Sequence, residues 1–256
     1  MIHLLRKENL NMTISNSESE MFRFSKKLNL NVVPDYKKHI KAESTFEENL
    51  LHLLRLENDL KDRDLIKRRI KQAGFPIQKT IDTFQFSNER LPFLIQEEVL
   101  EVMTCEFVQK HTNVVCIGNS GTGKTHIATA IGMEAIRRGY SVRFRRACDL
   151  VTQLSEAQSD KHLSGMLKSL NKCQLLVLDE LGYLTFDQKS SNLLFQVLAG
   201  RYEVRSTIVT SNLEFSKWPD FIGDPIMATA LVDRLIHRST ILNMNGEGYR
   251  IKDGRK

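Results

Sequence analysis

The sequence predicts an α/β protein: a parallel five-stranded sheet flanked by helices, with a small helical domain ahead of it. Three observations carry this expectation. After about Lys79, short β-branched and apolar runs alternate with longer helical patterns. That alternation is the signature of a parallel sheet covered on both faces. The first of these runs leads directly into a glycine-rich loop, "GNSGTGKT", and then into a helical stretch. Upstream, from Ser44, leucines recur at steps of three and four in a long segment that Gly74 and Pro76 close.

In chain order, residues 1 to about 42 read as irregular and polar, with a loop at "NVVPDYKK". A helix is expected from Ser44, with Ser44 as N-cap and Glu47 three residues on, the spacing of a capping box. Phe46, Leu50, Leu53, Leu56 and Leu60 form its apolar stripe. Its last turns carry Lys67, Arg68, Arg69 and Lys71, which suit the negative end of the helix dipole and equally suit a nucleic-acid arm. The expected organisation is an unassigned segment over 1–43, a helical domain and linker over 44–78, and the sheet domain over 79–256. The expected strands are "NVVCIG" (113–118), "YSVRF" (140–144), "QLLVLDE" (174–180), "STIVTSN" (206–212) and "STILNM" (239–244).

Composition narrows the class. With 256 residues, 41% of them hydrophobic, the chain can bury one sizeable core and a smaller second unit. No apolar run approaches the ~18 residues of a membrane span, and the N-terminus lacks a signal-peptide apolar core, so a cytoplasmic protein with no membrane partner is expected. Met12 and Met21 are alternative starts. The net charge of +6, from 37 basic and 31 acidic residues, is compatible with nucleic acid without demanding it. Cys105, Cys116, Cys148 and Cys173 form no C-x-x-C pair and read as buried free thiols.

The loop fits G-x-x-x-x-G-K-[ST] from Gly118 to Thr125. A strand before it and a helix after it turn a short pattern into a specific signal. Backbone N–H groups of Gly118, Asn119, Ser120, Gly121, Thr122 and Gly123 can curl round an anion, and the helix start at Lys124, Thr125 and His126 adds its positive end. Lys124 is placed to reach the β- and γ-phosphates, and Thr125 to ligate Mg²⁺. The loop alone leaves kinase, GTPase and ATPase open.

Three further features favour hydrolysis. In "LLVLDEL", Asp179 and Glu180 leave a buried run, where a charge is costly unless it is used. Asp179 is placed to hold the Mg²⁺ shell, and Glu180 to orient and deprotonate a water. Asn212 ends "TIVTSN", where its amide can meet a γ-phosphate and the attacking water. Arg234 and Arg238, in "ALVDRLIHRST", are four apart and are expected on one helix face. An arginine there can stabilise a neighbouring subunit's transferring phosphoryl or simply bond a helix end. The N-K-x-D element that reads guanine is absent from these loops, which favours ATP.

"GNSGTGKTHIATAIGMEAIRRGYSVRF", "LLVLDELGYL", "TSNLEFSKW" and "LVDRLIHRSTIL…GEGYRIK" resemble the IstB-type transposition helper ATPases, of the AAA+ class of P-loop NTPases and related to DnaC-type helicase loaders. The segment from Ser44 through "FPIQKTIDTFQF" also resembles their N-terminal helical part, so the likeness runs from about Ser44 to Lys252. The resemblance implies that Lys124 and Thr125 are Walker A contacts, Asp179 and Glu180 Walker B, Asn212 sensor 1 and Arg234 the box VII arginine. It implies ATP-dependent self-assembly, duplex DNA binding and a transposase partner. Arg143, Arg145 and Arg146 precede the helical region that touches DNA in such relatives. Phe84 and Phe86 fall where the linker meets the base and read as adenine-pocket lining or as core. Two departures stand out: "GEGYR" carries Gly248 where the family often has serine, and only twelve residues follow Met244, too few for a full helical lid. Arg250 is the candidate for a lid-borne arginine. A replicative helicase loader, and a DNA-binding scaffold that holds ATP without turnover, are the alternatives.

Overall fold

Each of the five apolar runs forms a strand: β1 (Asn113–Ile117), β2 (Val142–Arg146), β3 (Leu175–Leu181), β4 (Ser206–Ser211) and β5 (Ser239–Asn243). The computed structural model describes residues 16–249. All pairings are parallel, in the order β2-β3-β4-β1-β5, so the strand that precedes the glycine loop lies between β4 and β5. β1 and β4 are buried along their whole length, so neither shows the regular polar–apolar alternation of a half-exposed strand; in β4 the buried positions include Ser206, Thr207, Thr210 and Ser211.

The two sheet faces bury different helices. Leu176, Leu178 and Val209 point into a cluster built by α6 (Ala147–Ser159), α7 (Leu163–Lys172), α8 (Gln188–Ala199), α9 (Trp218–Ile222) and α10 (Pro225–Ile236). Val177 points the other way, to α5 (Lys124–Arg137), whose Ile127, Ile131 and Ile136 are fully buried. Period-two alternation along β3 therefore feeds two cores, one on each face.

The far end of the sheet is tied by a buried cation. Arg201 is 1% exposed. Its Nε donates to Thr207 Oγ1 at 3.1 Å, its Nη1 to the carbonyls of Leu170 and Cys173 at 2.6 and 3.1 Å, and its Nη2 to those of Ser206 and Gln174 at 2.6 and 3.4 Å. No carboxylate pairs with it among the described residues. Burial, and after it the neighbouring Arg205 charge, pulls its pKa below the usual guanidinium value, and a ring of carbonyl dipoles replaces the lost water. Burial likewise pushes the Cys116 thiol up to about 12 and Cys105 to about 11, so both are neutral core residues.

The chain divides between Lys67 and Arg68, inside α2 (Phe46–Ala73), and two short helices, α3 (Gln96–Met103) and α4 (Glu106–Gln109), follow it in the chain before β1. The N-terminal unit corrects two expectations. Residues 16–42 are not irregular: they hold a helix over 16–27, α1, and a 3₁₀ turn, Val33–Lys38, while the part of that expectation over 1–15 lies outside the described residues. The capping box lies one residue later than Ser44 and Glu47: Thr45 N–H donates to Glu48 Oε2 at 2.9 Å and Glu48 N–H to Thr45 Oγ1 at 3.2 Å. In α2, Phe46, Leu50 and Leu60 of the apolar stripe are exposed, while Glu57 is 3% exposed. Its carboxylate accepts from the backbone N–H of Asn31 and Val32 at 2.7–2.8 Å, satisfying donors at the start of the 3₁₀ turn.

Arg201→Ala removes the donor set from at least four buried acceptors at once. Denaturant unfolding should show a loss of about 3–5 kcal/mol, with Arg201→Lys intermediate because an ammonium cannot span the same fork.

Candidate functional site

A cavity of about 490 Å³ opens at the carboxyl ends of the strands and is lined by residues of the glycine loop, β2, β3 and β4. The loop runs from the end of β1 into α5. Gly123 supplies the left-handed corner before the helix, with φ +90°. A Cβ there would lie 2.7 Å from the Phe84 ring, so glycine is required by conformation and by space. Ser120, Gly121, Gly123, Lys124, Thr125 and His126 face the cavity. Gly118, Asn119 and Thr122 shape the loop instead. The carbonyls of Gly118 and Asn119 accept from Lys124 Nζ at 2.7 and 2.6 Å, and the Thr122 hydroxyl donates to Asn119 O at 2.8 Å.

One hydrogen-bond chain joins three elements. Thr125 Oγ1, in the first turn of α5, donates to the Asp179 carboxylate at 2.9 and 3.1 Å. Thr210 Oγ1, on β4, donates to Asp179 Oδ1 at 2.6 Å and accepts from Glu180 N–H at 3.0 Å. Asp179 is 2% exposed, so the hydroxyls stand where water would otherwise solvate its charge. Thr210 is the residue that sequence reading missed. Its signal was present, since it sits two residues before Asn212 on the same strand end. A hydroxyl and a carboxylate side by side are hard oxygen donors and fit Mg²⁺.

Glu180 has φ +59°, inside the strand where β3 shifts register between Leu178 and Leu181. A non-glycine residue in that region costs about 1–3 kcal/mol and persists only where the surroundings over-determine it. Here the bond to Thr210 holds the backbone, and the carboxylate turns into the cavity. Its Oε2 lies 3.7 Å from Arg146 Nε. Asn212 also faces the cavity, and its amide makes no hydrogen bond among the described residues.

The three arginines of "RFRR" separate. Arg146 lines the cavity beside Glu180. Arg145 is half-buried against Gly74, with its Nη1 on Phe144 O at 2.7 Å, and burial, then the neighbouring Arg143 charge, lowers its pKa. Arg143 donates to Gln72 O at 3.0 Å. They are therefore not one cluster: the side chains of a strand alternate between faces, and only Arg143 and Arg145 share one.

Arg234 is outside the cavity of its own chain. Its Nη1 donates to Ala230 O at 2.9 Å. The expected shared face with Arg238 does not form, because α10 ends at Ile236 and Arg238 lies beyond it with φ +60°.

The base end of the cavity is made by Ile77, Phe84 and Tyr249. Phe84 is buried and meets Phe86, His126 and Tyr249 edge to face, so Phe86 supports it from behind. His126 Nε2 lies 2.9 Å from Thr80 O and 3.2 Å from Thr83 Oγ1, holding the linker over α5. The segment after β5 straps the loop. Asn119 Nδ2 donates to Gly246 O at 3.1 Å, and Tyr249 N–H to Gly121 O at 2.9 Å. A Cβ on Gly248 would lie 2.7 Å from Ser120 O, which accounts for glycine in "GEGYR". Arg250 lies outside the described residues.

The family model described as IstB-like ATP binding protein matches residues 30–256. The chain is 42% identical over 211 residues to the ATP-binding protein assigned to insertion sequence IS5376 of Geobacillus stearothermophilus, covering 82% of this chain and 83% of that one. It is 38% identical over 216 residues to the corresponding protein of insertion sequence IS21 of Pseudomonas aeruginosa, covering 84% and 81%. Among solved structures, the DnaC helicase loader superposes with TM-score 0.54 at 22% identity over 69% of this chain and 98% of that one. The replication initiator DnaA bound to AMPPCP and single-stranded DNA superposes with TM-score 0.55 at 21% identity, over 66% of this chain and 51% of that one. These likenesses show the AAA+ fold. On its sequence, the chain belongs to the IstB-like ATP-binding protein family.

Proposed function

We propose that this chain is a Mg²⁺-dependent ATPase that assists transposition of an insertion sequence: it assembles with ATP on duplex DNA and delivers or activates a transposase. The observation that carries the hydrolytic part is the convergence of Lys124, Thr125, Asp179, Glu180 and Asn212 on one cavity. The named relatives belong to insertion sequences, which supports the transposition setting over a replicative helicase loader; the likeness to DnaC speaks for fold alone.

The residues divide the work. Loop N–H groups and Lys124 hold the phosphates of ATP. Thr125 and Asp179 would hold Mg²⁺, which supplies positive charge against the β- and γ-oxygens. Glu180 accepts the proton of the attacking water, and the Asn212 amide orients that water and the γ-phosphate. Arg234 of a neighbouring subunit supplies further positive charge to this cavity, which fits its position away from its own nucleotide. A scaffold that merely stored ATP would have no use for a carboxylate held at a strained φ beside the phosphate loop.

DNA contact is assigned to the surface where the end of α2 meets the sheet edge. Arg68 and Lys71 are exposed there, Arg69 Nη1 donates to Gly139 O at 2.6 Å, and Arg143 lies alongside. Arg145 and Arg146 are committed elsewhere.

Glu180→Gln should retain ATP binding and lose about 10²–10⁴ in turnover, whereas Lys124→Ala should lose nucleotide binding itself; a Lys124→Ala protein that still hydrolyses ATP overturns the assignment. Arg146→Ala removes a cation that competes with water for Glu180, so DNA-free turnover should rise about two- to five-fold, the range of an exposed ion pair; a fall would place that guanidinium on the phosphates. Arg68→Ala with Lys71→Ala should flatten the slope of log affinity against log salt on duplex DNA by about 0.9 per lost contact. Arg145→Ala should leave the slope unchanged and lower thermal stability.

A further inference from the structure

Arg234 is held, not loose. Its guanidinium carbon sits 4.9 Å from the centroid of the Phe195 ring, and one N–H is tethered to Ala230 O. Phe195 comes from α8 and packs against the buried cluster that α8 shares with α10, so the ring is anchored from below. Arg234 itself is only partly buried. Among the described residues no carboxylate pairs with it and its other N–H groups have no partner. Arg201 is the contrast in the same protein: fully buried, with its donors spent on backbone and side-chain acceptors.

A guanidinium supported on a ring face and tied at one N–H has fewer rotamers open to it before any anion arrives. Four of its five N–H groups are left to a ligand. The ring attracts the cation through its quadrupole without neutralising it, which an acidic partner would do. That combination suits an arginine that must be presented to an anion outside its own chain.

We propose that Phe195 is a positioning residue for hydrolysis between subunits: its ring presents the Arg234 guanidinium to the γ-phosphate bound by a neighbouring copy. This rests on the proposed shared ATPase site. It assigns a role to a partly buried aromatic side chain that is not part of the cavity lining, and it predicts that the role is exerted on the adjacent subunit's cavity.

The experiment measures ATP turnover of the full chain with duplex DNA, alone and in mixed assemblies. Glu180→Gln subunits, which keep Arg234 and Phe195 but cannot hydrolyse, serve as arginine donors. Phe195→Leu keeps the apolar volume, and Phe195→Tyr keeps the ring. Phe195→Leu is expected to lower kcat on the order of tenfold, with unchanged KM for ATP and unchanged binding of a fluorescent ATP analogue. Phe195→Tyr is expected to restore most of the rate, and mixing Phe195→Leu with Glu180→Gln subunits to restore turnover. Wild-type turnover by Phe195→Leu overturns the inference, as does a Phe195→Leu defect that donor subunits cannot rescue, since the ring would then act within its own subunit. Arg234→Ala is measured beside it: a loss on the order of 10³ that donor subunits rescue leaves the shared site standing whatever Phe195 does. Wild-type turnover by Arg234→Ala, or a defect the donor cannot rescue, overturns the shared site and the role of Phe195 together.

Discussion

The structure turns on a buried carboxylate. Asp179 sits at the end of a strand with almost no exposure, and three hydrogen bonds from two threonines keep it there. One threonine opens the helix that follows the phosphate loop, and the other ends the neighbouring strand. The charge thus fixes the distance between α5, β3 and β4 at the point where a metal ion and phosphates would gather. Its hydroxyl partners are neutral and short, so they satisfy the carboxylate without cancelling it. Glu180 follows from the same constraint. With Asp179 pinned and its own N–H drawn to Thr210, the next residue must turn, and the backbone enters the left-handed region that aims the second carboxylate into the cavity.

The opposite end of the sheet solves a similar problem with the opposite sign. Arg201 gathers carbonyls from the ends of α7, the start of β3 and the start of β4, and thereby holds the base against which the strands line up. A buried cation without a carboxylate would be costly in an apolar environment, and it is tolerated because the guanidinium fork finds an acceptor in every direction. Both ends of β3 and β4 are therefore fixed by polar interactions, while the middle is fixed by leucine, isoleucine and valine on two faces. The apolar pattern decides that there is a sheet; the buried charges help to set its register at the site.

Much of this was legible in the sequence, for physical reasons that also mark where legibility ends. Continuous apolar runs find buried parallel strands well, and the five strands lie where the runs predict. The glycine loop is legible because its chemistry is local: six residues and a helix start suffice to build the cradle. The capping box was misplaced because "STFEE" offers two overlapping matches, Ser44 with Glu47 and Thr45 with Glu48, and only the backbone chooses between them. Glu57 and Arg201 were invisible because their partners are remote backbone groups, which carry no sequence signal. "RFRR" looked like one basic patch because composition ignores the alternation of a strand, which sends Arg146 to the cavity and leaves Arg143 and Arg145 on the other face. Arg234 and Arg238 looked like helical neighbours because nothing in "RLIHR" announces that the helix stops at Ile236.

These arginines also differ in how far the fold ties them down. Residue type and net charge are the same in each case; what differs is how many donors the fold consumes. Arg201 has none to spare and acts as a clamp. Arg146 has a carboxylate within 3.7 Å, so its effect on the site is bound to that of Glu180. Arg234 has one donor tied, an aromatic surface beneath it and, among the described residues, no carboxylate paired with it, so four of its N–H groups stay open to an anion. The cavity, for its part, is lined by Glu180, Asn212 and Lys124, with Arg146 as its arginine. A guanidinium prepared outside the cavity of its own chain is what a fold would show if the complete site formed only between copies.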